Sequence, residues 1–134
     1  MTGLVLKLGP KERILINGVV VENGDRRGRV HILTPNAKIL RLKDAIHPDE
    51  VTTPVRRVCY ILQLILSGDA NLLDGKRQVI KGIEQLSHAF WDVDSRRILD
   101  TSTNYVIKDQ FYPGLKSLRL LLARESRIMT VGTE

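Results

Sequence analysis

The hydrophobic pattern of the chain changes period once, near His47-Pro48. Before that point the apolar residues fall in short runs separated by turn-forming pairs. LVLKL, from Leu4 to Leu8, alternates weakly. RILINGVVVENG carries apolar runs on either side of Asn17-Gly18. Asn-Gly is the strongest short hairpin signal, because both central residues of a type I′ turn need positive φ. Asn23-Gly24 supplies a second turn, RVHIL (Arg29 to Leu33) alternates again, Thr34-Pro35-Asn36 turns once more, and AKILRL (Ala37 to Leu42) reads as a further strand. Such a series of short strands predicts a small antiparallel barrel or sandwich over residues 1–47.

Beyond residue 47 the spacing is helical. Thr53 is placed to N-cap a helix whose first residue is Pro54, where the missing N–H costs nothing. That helix is expected to reach Leu66 and stop at Ser67-Gly68. Val55, Val58, Cys59, Ile61, Leu62, Leu64, Ile65 and Leu66 cover most of its circumference, so it must be buried on several sides. Either the bundle and the sheet cover it within one chain or a second subunit does, which raises the expectation of a homodimer.

A second helix is expected from Leu72 to Trp91, with Gly75 and Gly82 on one face where a neighbour can approach closely. A third is expected from Asp94 to Lys108, despite the poor helix formers Thr101-Ser102-Thr103-Asn104. A fourth begins at Pro113 with Leu115, Leu118, Leu121 and Leu122 as its buried stripe, and from Ser126 onward the chain reads as frayed. The fold class is therefore α+β: a β module over 1–47 and a helical bundle over 48–134.

Composition sharpens this picture in three ways. With 43% hydrophobic but only 4% aromatic residues, the core is aliphatic, and base stacking on aromatic platforms is not the main way this chain could hold nucleic acid. Residues 1–47 hold 9 of the 21 Lys and Arg but 4 of the 15 Asp and Glu, whereas residues 48–134 are nearly neutral, so the net charge of +6 is concentrated in the β module. The single cysteine excludes an intrachain disulfide and fits a reducing, cytoplasmic setting. The longest apolar run is too short to span a bilayer, and no signal-peptide pattern opens the chain.

The candidate chemistry is anion binding. Arg26, Arg27 and Arg29 follow the expected hairpin on a short loop, and guanidinium presents a planar fork that suits phosphate. The competing reading is that basic residues merely protect a sheet edge from aggregation. Lys38 and Arg41 are three apart, so only one of them can join the loop's face. Arg56 and Arg57 stand in the first turn of the first helix, where positive charge opposes the macrodipole, so they mark a second candidate anion site unless Asp49 and Glu50 neutralise them. Arg56, Tyr60 and Gln63 form one polar stripe on that helix. Nothing supports an enzyme or a cofactor: His31, His47 and His88 are scattered, Cys59 reads as a core residue, and no Walker, Rossmann, zinc or nucleophile-elbow pattern is present.

LKLGPKERILINGVVVENGDRRGR, then AKILR, then TTPVRRVCYILQ, resembles the flagellum biosynthesis repressor FlbT family over about residues 4–68. The resemblance implies a post-transcriptional regulator that binds the 5′ untranslated region of flagellin messenger RNA and lowers its translation or lifetime, although some family members favour flagellin production. It also implies a FlaF-type regulator or flagellin as a protein partner, and no membrane. On this reading Arg26, Arg27, Arg29, Arg56, Arg57, Tyr60 and Gln63 are the RNA-binding candidates. The rival is an adaptor that meets acidic protein partners without touching RNA. Two positions depart from the family pattern: Cys59 stands where a second aromatic is expected, and Lys11 where Gly is frequent. The β segment also resembles, at the level of fold alone, the carbon storage regulator family, which binds flagellar transcripts.

Overall fold

The computed structural model describes residues 4–132. Five strands come first: β1 (Leu4–Leu8), β2 (Arg13–Ile16), β3 (Val19–Glu22), β4 (Gly28–Ile32) and β5 (Ile39–Arg41). Two single 3-10 turns, Leu42–Asp44 and Pro48–Glu50, lead into five helices. These are α1 (Pro54–Ser67), α2 (Leu72–Leu86), α3 (Val93–Ile107), α4 (Phe111–Arg119) and α5 (Leu121–Gly132). The α+β class is as expected, with every strand pairing antiparallel.

Asn17 (φ 48°) and Gly18 (φ 86°) make the left-handed pair that joins β2 to β3, with Ile16 opposite Val19. The expected barrel does not close. The strands form two sheets, β1-β4 and β3-β2-β5, and β3 and β4 do not pair. The reason lies at Asn23-Gly24, which is not a left-handed turn. Instead Asn23 Nδ2 donates to Gly9 O (2.7 Å) and Arg26 O (2.9 Å), tying the β3–β4 loop to the β1–β2 turn and splaying the two strands apart.

One aliphatic core joins sheets and helices. Leu6, Leu8, Ile14, Ile39 and Leu40 from the strands belong to the same buried cluster as α1, α2 and α4. Helix α1 is the hub, packing on α2, α4, α5 and β5, with Val55, Cys59 and Leu62 wholly buried. Its apolar circumference is thus covered within one chain, so α1 gives no reason to expect a second subunit. Thr53 caps it through Arg56 N, and Gly68 (φ 86°) ends it. Gly75 and Gly82 permit the close approach of α2: a Cβ at Gly82 would lie 2.6 Å from Val58 Cγ2, and one at Gly75 2.7 Å from Ile65 Cγ1.

The other helices depart from expectation mainly at their ends. Helix α2 stops at Leu86, short of Trp91, because i→i+3 bonds (His88 N to Gln85 O, Ala89 N to Leu86 O) tighten the chain before Asp92 caps α3. Helix α3 survives its Thr-Ser-Thr-Asn run because the hydroxyls of Ser102 and Thr103 bond the carbonyls of Ile98 and Leu99, and Ser102 also meets Ser117 of α4 at 2.8 Å. The last helix begins two residues before Pro113, is interrupted at Leu120, and continues as α5 through Gly132 rather than fraying at Ser126.

Two mutations test these contacts. Gly82→Ala forces its methyl into Val58 and is expected to destabilise the fold by about 1–3 kcal/mol in a denaturant titration, with part of the loss recovered when Val58→Ala is added. Lys11 adopts φ 60°, the left-handed region that glycine enters without steric cost. Lys11→Gly is expected to raise stability by about 0.5–1 kcal/mol in the same measurement, because it relieves that strain.

Candidate functional site

The β1–β4 register builds a basic face. Lys7 lies opposite Arg29 and Val5 opposite His31, and all four side chains are exposed on the outer side, while Leu6 and Leu8 point into the core. The loop before β4 adds Arg27, and the turn after β5 adds Lys43. Between them is an open cleft of about 560 Å³, lined by Lys7, Arg27, Arg29 and Lys43 together with the Gly9-Pro10 turn and Glu12.

The carboxylates near this cleft are already engaged. Asp25 pairs with Lys11 at 3.0 Å. Glu22 accepts from Arg13 at 2.8 Å, and this hydrogen bond with the Arg13 charge holds its carboxyl below the usual range. Glu12 is almost fully buried: it accepts from Gly9 N at 2.9 Å and lies 3.3 Å from Arg41 Nη1. Arg41 in turn donates to Lys7 O at 2.8 Å, fixing the strand that presents Lys7. Arg41 therefore sits beneath the cleft as a brace, and Lys38 lines a different crevice beside Asn17 and Gly18. Arg26, Arg27 and Arg29 make no ion pair among the described residues.

The structure gathers Arg27 and Arg29 in the cleft and leaves Arg26 exposed beside it on the same loop. Arg56, Arg57, Tyr60 and Gln63 do not line it. Gln63 is spent on the backbone of Ile46: its Oε1 accepts from Ile46 N (2.6 Å) and its Nε2 donates to Ile46 O (3.0 Å). Tyr60 is half-buried. Arg56 and Arg57 are exposed, and Arg56 Nη1 donates to the carbonyl of Glu50 at 3.2 Å rather than to a carboxylate. Asp49 N donates to His47 Nδ1 at 3.2 Å and Glu50 Oε1 accepts from His47 N at 3.0 Å, so both residues close the turn before α1, and neither carboxylate is paired with Arg56 or Arg57 among the described residues.

The anion at the N-terminus of α1 is supplied by the chain itself. Glu125 of α5, buried to 6% exposure, accepts from Val55 N at 2.9 Å and from the Thr53 hydroxyl. A carboxylate here offsets the dipole that Arg56 and Arg57 oppose. Cys59 lies wholly inside the core, and burial pushes its thiol up to about 12, which removes it as a nucleophile at neutral pH. Among the described residues no three His, Cys, Asp or Glu side chains come together as a metal site.

Lys7, Lys43 and Glu125 escape sequence reasoning. Lys7 carries the one available signal, a lone polar residue in an alternating strand, but only the β1–β4 register sets it beside Arg29.

The chain is an α+β protein with a basic face on its small sheet. A family profile described as "Flagellar protein FlbT" matches residues 4–129, and the chain belongs to that family. It is 46% identical over 68 residues to a probable flagellum biosynthesis repressor protein FlbT of a Caulobacter species, covering 51% of each chain. It is 47% identical over 62 residues to the flagellum biosynthesis repressor protein FlbT of Caulobacter vibrioides, covering 46% of this chain and 43% of that one. The chain thus matches about half the length of these curated relatives. The similarity to a probable repressor of the same name from Bradyrhizobium diazoefficiens is lower, 29%, but runs over 93% of this chain and 84% of that one. No solved structure matches the chain. No described helix is long and apolar enough to cross a membrane.

The Glu125 contact is open to test. Glu125→Gln keeps the shape but removes the charge at the helix end, and is expected to cost about 1–3 kcal/mol of stability by thermal or denaturant melting. Far-UV circular dichroism of the native state should remain helical.

Proposed function

We propose that this chain regulates flagellum biosynthesis in the cytoplasm by binding the 5′ untranslated region of flagellin messenger RNA and lowering its translation or lifetime. One observation carries the reading: Lys7, Arg27, Arg29 and Lys43 line one open cleft, and of these Lys7, Arg27 and Arg29 make no ion pair among the described residues, while Lys43 lies 3.8 Å from the carboxylate of Glu12. Unpaired guanidiniums beside lysines form a site for phosphate, and such contacts bind with strong salt dependence. The names of its relatives, flagellum biosynthesis repressors, supply the biological setting. Arg56 and Arg57, exposed on another element, are secondary candidates.

A second reading is favoured by a different surface. Trp91 (75% exposed) and Val93 (70%) flank Asp92, which pairs with Arg124 at 2.9 Å, and exposed Leu120 stands one turn before that arginine. These apolar side chains suit a protein partner, such as a FlaF-type regulator or flagellin. The two readings use separate faces and are separately testable.

Replacing Arg26, Arg27 and Arg29 together by Ala should leave the melting temperature unchanged, because all three are exposed. Binding to a flagellin leader should weaken, and the slope of log affinity against log salt should fall by about two units for a single-stranded target. An unchanged slope in the folded triple mutant rules out the cleft. Crosslinking of the protein to flagellin messenger RNA in cells decides between RNA contact and an adaptor role.

A further inference from the structure

A second cationic groove adjoins the first. It lies between the turn after β5 and α4, with a volume of about 250 Å³. Leu40, Tyr112 and Leu115, each nearly buried, provide its apolar floor, and Arg41, Lys43, Lys116 and Arg119 its charge, with Arg41 already facing Glu12 at 3.3 Å. Lys43 also lines the first cleft, so the two hollows adjoin at this residue, which lies 3.8 Å from the Glu12 carboxylate. Lys116 is exposed, while Arg119 is steadied by Asp44, with Nη1 donating to the Asp44 carbonyl at 3.0 Å and Nη2 3.5 Å from its carboxylate. Asp44 is thus the acid among the lining residues, set against several cations, and the groove remains positive.

The two hollows differ in a way that matters for a nucleic acid. The first is open and rimmed by exposed cations, which suits a chain of phosphates. The second is smaller and combines apolar walls with a cationic edge, which suits the face of a base with its phosphate alongside. We propose that this groove receives one unstacked nucleotide from the RNA whose backbone occupies the first cleft, and that the protein consequently selects single-stranded RNA over duplex. The proposal rests on the RNA reading above and adds Lys43, Lys116 and Arg119 as binding residues. A paired and stacked base cannot turn into a side pocket, and A-form duplex offers chiefly its backbone and shallow minor groove, whereas unpaired segments can splay a base outward. With few aromatics in the chain, an apolar pocket takes the place of a stacking platform. Burial pushes the Tyr112 phenol upward against the opposing charge and hydrogen bond of Arg41, which lines the same groove.

The test uses the full chain, a fluorescent unstructured segment of the flagellin leader, and the same segment annealed to its complement. Wild type should prefer the single strand by about tenfold. Lys116→Ala should lower single-strand affinity about fivefold and the salt slope by about 0.7, leave duplex affinity unchanged, and be rescued by Lys116→Arg. If Lys116→Ala binds the single strand like wild type while Arg27→Ala/Arg29→Ala does not, the groove is overturned and the cleft stands. Equal losses on single strand and duplex also overturn it, since they mark a diffuse charge effect. Failure of wild type to bind either RNA form overturns this proposal and the RNA reading together.

Discussion

The contact between Glu125 and the start of α1 ties the last helix to the central one. Helix α1 is buried against α2, α4, α5 and β5, and in its first turn Val55 is wholly buried, so the Val55 N–H needs a partner within the protein. Unsatisfied donors at a buried helix end are costly, and two arginines in the same turn add to the cost. A carboxylate from the last helix accepts from Val55 N, and the Thr53 hydroxyl shares the load by donating to that carboxylate while accepting from Arg56 N. The chain can place α1 at the centre of its core because α5 returns to close it.

Around that hub the charges sort into two kinds. Those beneath the surface are structural. Glu12 and Arg41 face each other at 3.3 Å under the β1–β2 turn, and neither Glu12 Oε2 nor Arg41 Nε makes a hydrogen bond among the described residues. Such an imperfect buried pair contributes little net stability, but removing one partner would strand the other. Its evident effect is geometric, since Arg41 also grips the carbonyl of Lys7. The exposed cations, in contrast, project from a sheet of only two strands that is supported from below. Rigid placement of a charged face requires such support, because two strands alone are barely stable.

The open architecture of the β module has a related consequence. A closed barrel would have turned β3 and β4 toward each other and drawn the basic loop into a tight turn. With Asn23 bridging to Gly9 and Arg26 instead, the loop bends at Asp25-Arg26 beside the β1–β2 turn, and the cleft lies between them. The feature that breaks the sheet is therefore also the one that shapes the candidate site.

Local chemistry was legible in the sequence. The left-handed Asn17-Gly18 hairpin, the Thr53-Pro54 start and Gly68 stop of α1, the facing glycines of α2 and the core position of Cys59 each follow from steric or hydrogen-bonding rules that act within a few residues. The loop arginines were visible for the same reason, as a cluster in sequence. The split of the sheet was not legible, because it depends on Asn23 reaching the distant carbonyl of Gly9, and the early end of α2 was not, because its backbone tightens to i→i+3 bonds that no residue type announces. Gln63 shows the limit most plainly: on a helical wheel it shares a stripe with Arg56 and Tyr60, yet it binds the backbone of Ile46. Lys7 and Arg29 are 22 residues apart and meet only through strand register. Glu125 lies 70 residues from Val55 and meets it only through the packing of α5. Sequence determined which charges the molecule carries and which turns and helix ends it makes. The tertiary structure decided which of those charges neutralise one another and which face a common cleft, because electrostatic pairing depends on distance in space and not on separation along the chain.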